Sequence, residues 1–136
     1  MTEKDQPGKS EPTGKESASW WVRRVKAFGH AGRGIWFALM SQAHFQIHVL
    51  AAIAVVALGF VFGITAGEWI ALLLCIGSVI AAETMNTAIE SLSDAVTTEH
   101  HPLIGKAKDA AAGAVLILAV ISAIVGAIIF WPYLIG

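Results

Sequence analysis

Residues 69–96 read WIALLLCIGSVIAAETMNTAIESLSDAV, and this stretch decides the architecture. From Trp69 to Ala82 it carries no charge. Glu83, Asn86, Glu90 and Asp94 then follow at spacings of 3, 4 and 4. In a helix, at about 100° per residue, these four side chains fall within about 80° of arc, so they form one polar stripe with Thr87 beside it. A charge at the centre of a membrane costs from about 2.5 kcal/mol upward, so such residues face a bundle interior or water. Counted from Trp69, Glu83 lies about 21 Å along the helix and Asp94 about 38 Å. The stripe therefore runs from the membrane interior to one of its surfaces.

The flanking sequence supplies the rest of the bundle. Residues 49–67 are an uncharged run, about 28 Å long as a helix and close to a hydrocarbon core of about 30 Å. A short turn around residues 65–68 leads into span two. Residues 97–109 are polar, contain Pro102 and Gly105, and read as a loop. Residues 110–131 form span three, expected to stop at Trp131-Pro132-Tyr133, an interfacial anchor with a helix breaker. Gly59-x-x-x-Gly63 and the small residues at 110–114 permit close helix contacts.

Ahead of span one, residues 20–47 mix Trp20, Trp21, Phe28, Trp36 and Phe37 with Arg23, Arg24, Lys26 and Arg33. That mixture suits an amphipathic helix lying in the membrane interface. Gly29, Gly32 and Gly34 mark a bend or a close approach of backbone to ligand. The expected fold is all-α and integral to the membrane: one N-terminal interfacial helix (about 20–47) and three transmembrane helices (about 49–67, 69–96 and 110–131).

At 136 residues, 56% hydrophobic and 14% charged, with mean hydropathy +0.67, the chain holds one domain too apolar for a soluble fold. All nine Lys and Arg lie within residues 1–33 or at Lys106 and Lys108. This is too sparse for a nucleic-acid surface. The positive-inside rule places the basic segment and the Lys106–Lys108 loop together on the cytoplasmic side of a cell (inner or plasma) membrane, with a cytoplasmic N-terminus. Residues 1–19 read as a disordered cytoplasmic tail without a cleavable signal peptide. Gly8-Lys9-Ser10 is not a P-loop, because position 3 is Glu3 and no strand precedes it. Cys75 reads as a packing residue.

The carboxylates admit several chemistries. Asp94 and Glu90 could be the solvated end of a projecting helix, and a proton relay would use one or two such groups. Lys106, Lys108 and Asp109 adjoin the same membrane face. That combination suits phosphoryl transfer, with carboxylates for Mg²⁺, a lysine for phosphate charge and a carboxylate base for the attacking hydroxyl. His44 and His48 are four apart without the Glu of an HExxH motif, and His100-His101 follow span two. These suit interfacial or nucleotide-facing positions better than zinc.

Two segments carry a resemblance: Glu83-Thr-Met-Asn86-Thr-Ala-Ile-Glu90-Ser-Leu-Ser-Asp94, and His101-Pro-Leu-Ile-Gly-Lys-Ala-Lys108-Asp109-Ala-Ala-Ala-Gly113-Ala-Val. With them, residues 20–133 resemble the prokaryotic diacylglycerol kinase family, which includes undecaprenol kinases. The resemblance implies a homotrimeric enzyme that moves the γ-phosphate of ATP to a membrane lipid hydroxyl with Mg²⁺. It implies Glu83 as catalytic base and Glu90 as a metal-holding glutamate. It implies Asn86, Glu90, Asp94, Glu99, His100, His101, Lys108 and Asp109 at the nucleotide, with Arg23 as an N-terminal nucleotide contact and His30 in place of an aromatic residue. The second metal-holding glutamate is replaced here by Gln42, which keeps a carbonyl oxygen but loses the charge. The His-Pro-Leu, Ala-Ala-Gly-Ala-Val and Phe45-Gln-Ile-His48 stretches lean toward the undecaprenol branch. The alternatives are a non-catalytic or decayed kinase-like scaffold and a transporter or proton-conducting subunit.

Overall fold

The hydrophobic runs fold as helices because nothing else satisfies backbone N–H and C=O groups in lipid. The computed structural model describes residues 14–136. Most of the expected tail lies outside the described residues, and its last part opens helix α1 (Gly14–Ser41). Helices α2 (Ala43–Phe62), α3 (Ala66–Val96) and α4 (Pro102–Ile135) follow, with no strand among the described residues. The last three are each long and apolar enough to cross a membrane. The protein is therefore all-helical with three spans. The chain divides into two compact units, up to Arg33 and from Gly34 onward.

In the first unit, Trp20, Trp21 and Phe28 of α1 are exposed, as are Arg23, Arg24, Lys26 and Arg33. Trp20 meets Trp21 edge-on at 4.6 Å, and the Arg24 guanidinium lies 4.6 Å from the Trp20 ring centre. Gly29 and Gly32 do not mark a bend. They sit within continuous helix, with open space where a Cβ would stand.

In the second unit, the element expected as one helix over 20–47 is divided at Gln42. This residue is extended (φ −119°, ψ 116°) and caps α2. Its N–H still donates to the Ala38 carbonyl at 3.1 Å, and the Gln46 amide reaches back to the Leu39 carbonyl at 3.1 Å. Ala38 and Phe45 are both buried at this joint. The break turns the Gln42 side chain out of the helical rows.

The α2–α3 turn is tightly specified. Gly63 ends α2 at φ 64°, a left-handed conformation that glycine adopts without steric cost. Thr65 and Glu68 then form a reciprocal capping box at the start of α3. Gly59 permits a close helix contact, as its spacing suggests. A Cβ there would lie 2.8 Å from the Trp69 ring, so the glycine admits Trp69 of α3. Ile64, Leu72, Ile129 and Phe130 close the core at this end, with Phe62, Trp69 and Tyr133 against it.

Two boundaries differ from expectation at α4. The loop expected over 97–109 shrinks to 97–101, because Pro102 takes the first turn of α4, where its missing N–H costs nothing. Lys106, Lys108 and Asp109 are consequently helical. Pro132 does not stop α4, which continues to Ile135. A proline removes the bond to the carbonyl four residues earlier, and so near a helix end few turns depend on it.

Candidate active site

The stripe on α3 folds inward at its deep end. Glu83, Asn86 and Thr87 are buried, Glu90 is half-buried and Asp94 is exposed. Helix α3 has 31 residues, about 46 Å, so it overreaches a hydrocarbon core of about 30 Å and carries Asp94 beyond it. Thr87 is satisfied within its own helix, its hydroxyl donating to the Glu83 carbonyl at 2.9 Å.

Glu83 is 2% exposed. Its Oε1 lies 3.3 Å from Nε2 of His48 on α2. The two atoms are close but not aligned as a hydrogen bond, so this buried oxygen has no hydrogen-bond donor among the described residues. A buried acceptor in that condition costs about 1–3 kcal/mol, and natural proteins retain one where it has work to do.

One to two turns toward the surface the groups interlock. The Gln42 amide donates to Glu90 Oε2 at 2.6 Å, across 48 residues of sequence. The Asn86 amide donates to Glu90 Oε1 at 3.2 Å. Asn86 Oδ1 is buried with no donor among the described residues. Glu90 is thus held by two amides from two elements. The non-helical backbone at Gln42 aims one of them.

At the exposed end, Lys108 Nζ donates to Asp94 Oδ1 at 3.0 Å. Both line a cavity of about 470 Å³ with Thr97, Glu99, His100 and His101. This cavity wraps the N-terminus of α4, where free N–H groups and the helix dipole favour anions. Asp109 and Lys106 are exposed on α4 and are not part of its wall. Arg23 and His30 belong to the unit ending at Arg33. There Arg33 and His30 Nδ1 are 2.6 Å apart.

The structure therefore brings together Gln42, Asn86 and Glu90 and, separately, Asp94, Glu99, His100, His101 and Lys108. Sequence reasoning missed His48 as the neighbour of Glu83, having weighed it only against His44. The available signal was a lone imidazole at the start of an apolar span that must pack on the polar stripe. Thr97, Thr98 and Gly105 in the cavity wall were missed as well.

A second cavity, of about 590 Å³, runs between α2, α3 and α4. Its wall is hydrocarbon except for His48, Cys75 and Ser122. His48 thus touches both the buried carboxylate and this apolar space.

Residues 29–130 match the model of the family described as prokaryotic diacylglycerol kinase. The chain is 49% identical over 112 residues to an undecaprenol kinase of Bacillus subtilis, covering 82% of this chain and 91% of that one. It is 33% identical over 131 residues to a diacylglycerol kinase of Synechocystis, covering 96% of this chain and 75% of the relative. A diacylglycerol kinase of Escherichia coli is 29% identical over 113 residues, covering 83% and 93% respectively.

Proposed function

We propose a division of labour along the α3 stripe, starting from the premise that the chain belongs to the prokaryotic diacylglycerol kinase family and is an ATP-dependent lipid kinase. Glu83 is the general base. The observation that carries this assignment is its buried Oε1, which has no hydrogen-bond donor among the described residues and lies deep enough to meet a lipid hydroxyl. The hydroxyl proton passes to Glu83 as the lipid oxygen bonds to the γ-phosphorus. The bond from that phosphorus to the β-phosphate oxygen breaks, and ADP leaves with the electron pair.

The nucleotide sits toward the surface. The cavity around the α4 N-terminus takes the polyphosphate, with Lys108 offsetting its charge and Asp94 holding Lys108 in place. Glu99, His100 and His101 line the same cavity, and Arg23, His30 and Asp109 remain proposed nucleotide contacts.

The residues around Glu90 fit a magnesium ion. Rotating the two amides would present Gln42 and Asn86 oxygens beside the Glu90 carboxylate, a set of hard donors. Asn86 Oδ1 is buried without a donor among the described residues, so that rotation would break no hydrogen bond to it from those residues. When bound, Mg²⁺ would neutralise charge on the phosphate oxygens. Among the described residues no three His, Cys, Asp or Glu side chains cluster to hold an ion, which supports binding as the ATP complex.

The acceptor we favour is a polyprenol-type alcohol. The relative at 49% identity is an undecaprenol kinase, and the apolar cavity beside His48 offers little to the ester groups of a diacylglycerol. The spans leave most of their apolar surface uncovered within one chain, which supports assembly with further copies as a homotrimer. The basic segments support a cytoplasmic N-terminus in the cell membrane.

The test is ATP turnover with Mg²⁺ in mixed micelles, with undecaprenol and diacylglycerol offered separately. Phosphorylated undecaprenol in excess is expected. Absence of any phosphorylated lipid from folded protein would refute the reading.

A further inference from the structure

Gln42 separates two helices, yet its side chain caps neither. It stands at the N-cap of α2 and makes no side-chain cap bond there. Its amide instead donates to Glu90 Oε2 at 2.6 Å, while the Asn86 amide donates to Glu90 Oε1 at 3.2 Å. Both oxygens of the carboxyl group are therefore met by N–H donors. Each amide shows Glu90 its donor side and not its carbonyl. Asn86 Oδ1 is correspondingly buried without a donor among the described residues. The joint is packed on both sides of Gln42, with Ala38 and Phe45 each 1% exposed. The Gln46 amide ties α2 back to the Leu39 carbonyl at 3.1 Å.

A cation approaching Glu90 in this arrangement meets amide hydrogens. Magnesium takes oxygen ligands in near-octahedral geometry and gives up its own water reluctantly. One carboxyl group flanked by two N–H donors offers the free ion little in exchange for that water. A metal–nucleotide complex brings phosphate oxygens of its own, so it asks fewer ligands of the protein.

We propose that Gln42 is a neutral latch on Glu90. In the nucleotide-free protein its amide takes the ligand position beside Glu90, shuts out the free divalent cation and holds the carboxyl group in place. It turns its carbonyl toward that position only when the cation arrives with nucleotide. Gln42 is thus a positioning residue that sets the order of binding. The inference deepens the proposed metal reading at Glu90 and rests on it.

The test uses the full chain in micelles. It contains three glutamines, Gln6, Gln42 and Gln46. Isotopic labelling of their side-chain nitrogens therefore gives a spectrum simple enough to assign with Gln42→Met and Gln46→Met. Mg²⁺ alone should leave the Gln42 signal in place. Mg²⁺ with a non-hydrolysable ATP analogue should move it, as the amide leaves Glu90. Protein-bound Mn²⁺, read by electron paramagnetic resonance, is the second measurement. Without nucleotide, Gln42→Glu should bind Mn²⁺ about tenfold more tightly than wild type, because a carboxylate replaces an N–H donor. A Gln42 signal that moves with Mg²⁺ alone, or equal Mn²⁺ affinities without nucleotide, overturns the latch and leaves the metal reading standing. A Gln42 signal that stays put while the metal–nucleotide complex binds overturns the latch alone. If no Mn²⁺ binds even with the analogue, the metal reading fails and the latch with it. Should Gln42→Glu fail to fold, the wild-type signals decide.

Discussion

The two ends of the helix bundle solve opposite problems. At the α2–α3 turn the polar groups interlock. Glu68 Oε2 accepts from the Thr65 N–H and hydroxyl at 2.7 Å and from the Tyr133 hydroxyl at 2.9 Å. Phe62 makes tilted ring contacts with Phe130 at 6.0 Å and Tyr133 at 5.8 Å, and Trp69 closes on Gly59. At the other end, Glu83 Oε1 and Asn86 Oδ1 are buried without donors among the described residues. The turn end trades conformational freedom for a fixed register. The stripe end keeps unsatisfied acceptors. In the proposed reading, stability and chemistry are separated along the helix axes.

That comparison can be broken most directly at Glu83. Glu83→Gln keeps the shape and removes the base, so turnover should fall by about 10²- to 10⁴-fold, while thermal unfolding in detergent stays at the wild-type temperature or rises. A fall in both would mean that the stripe end is structural too. Gly59→Val attacks the opposite end. Its added Cβ would lie 2.8 Å from Trp69, and unfolding should become easier by about 1–3 kcal/mol. The KM for ATP in the folded fraction should be unchanged.

Gln42→Glu sharpens the metal reading. A second carboxylate beside Glu90 should lower the Mg²⁺ concentration for half-maximal turnover several-fold, and should raise electrostatic repulsion when Mg²⁺ is absent. Unchanged metal dependence would place Gln42 outside the metal's reach. Tyr133→Phe should have the smallest effect, a slight drop in unfolding temperature with normal turnover, because Thr65 continues to satisfy Glu68.

Much of the active end was legible because it is local. The spacing of Glu83, Asn86, Glu90 and Asp94 converts directly into one helical face. The burial of the first two and the exposure of the last follow from their depth along α3. The Lys108–Asp94 pair joins segments only 14 residues apart, across a short connection. Element boundaries were less legible. Pro102 opens a helix where a loop was expected, and Pro132 fails to close one, because proline's effect depends on which hydrogen bonds its position would otherwise make. Gly59 and Gly63 looked like a helix-contact motif; Gly59 does admit Trp69 of α3, while Gly63 forms a left-handed cap.

By itself, the sequence determined three spans, their helical character, the polar stripe on the second and the family. These follow from hydrophobic length and 3.6-residue periodicity, which act within a single segment. Only the tertiary structure decided what faces the stripe. Gln42 reaches Glu90 because the backbone breaks between α1 and α2, and His48 comes to rest beside Glu83 because α2 packs on α3 in one register. Such pairings depend on crossing geometry and on the turn at Gly63, and no local pattern encodes them. The physical reason is that a helix's periodicity says which face is polar, while packing alone says which neighbour that face meets.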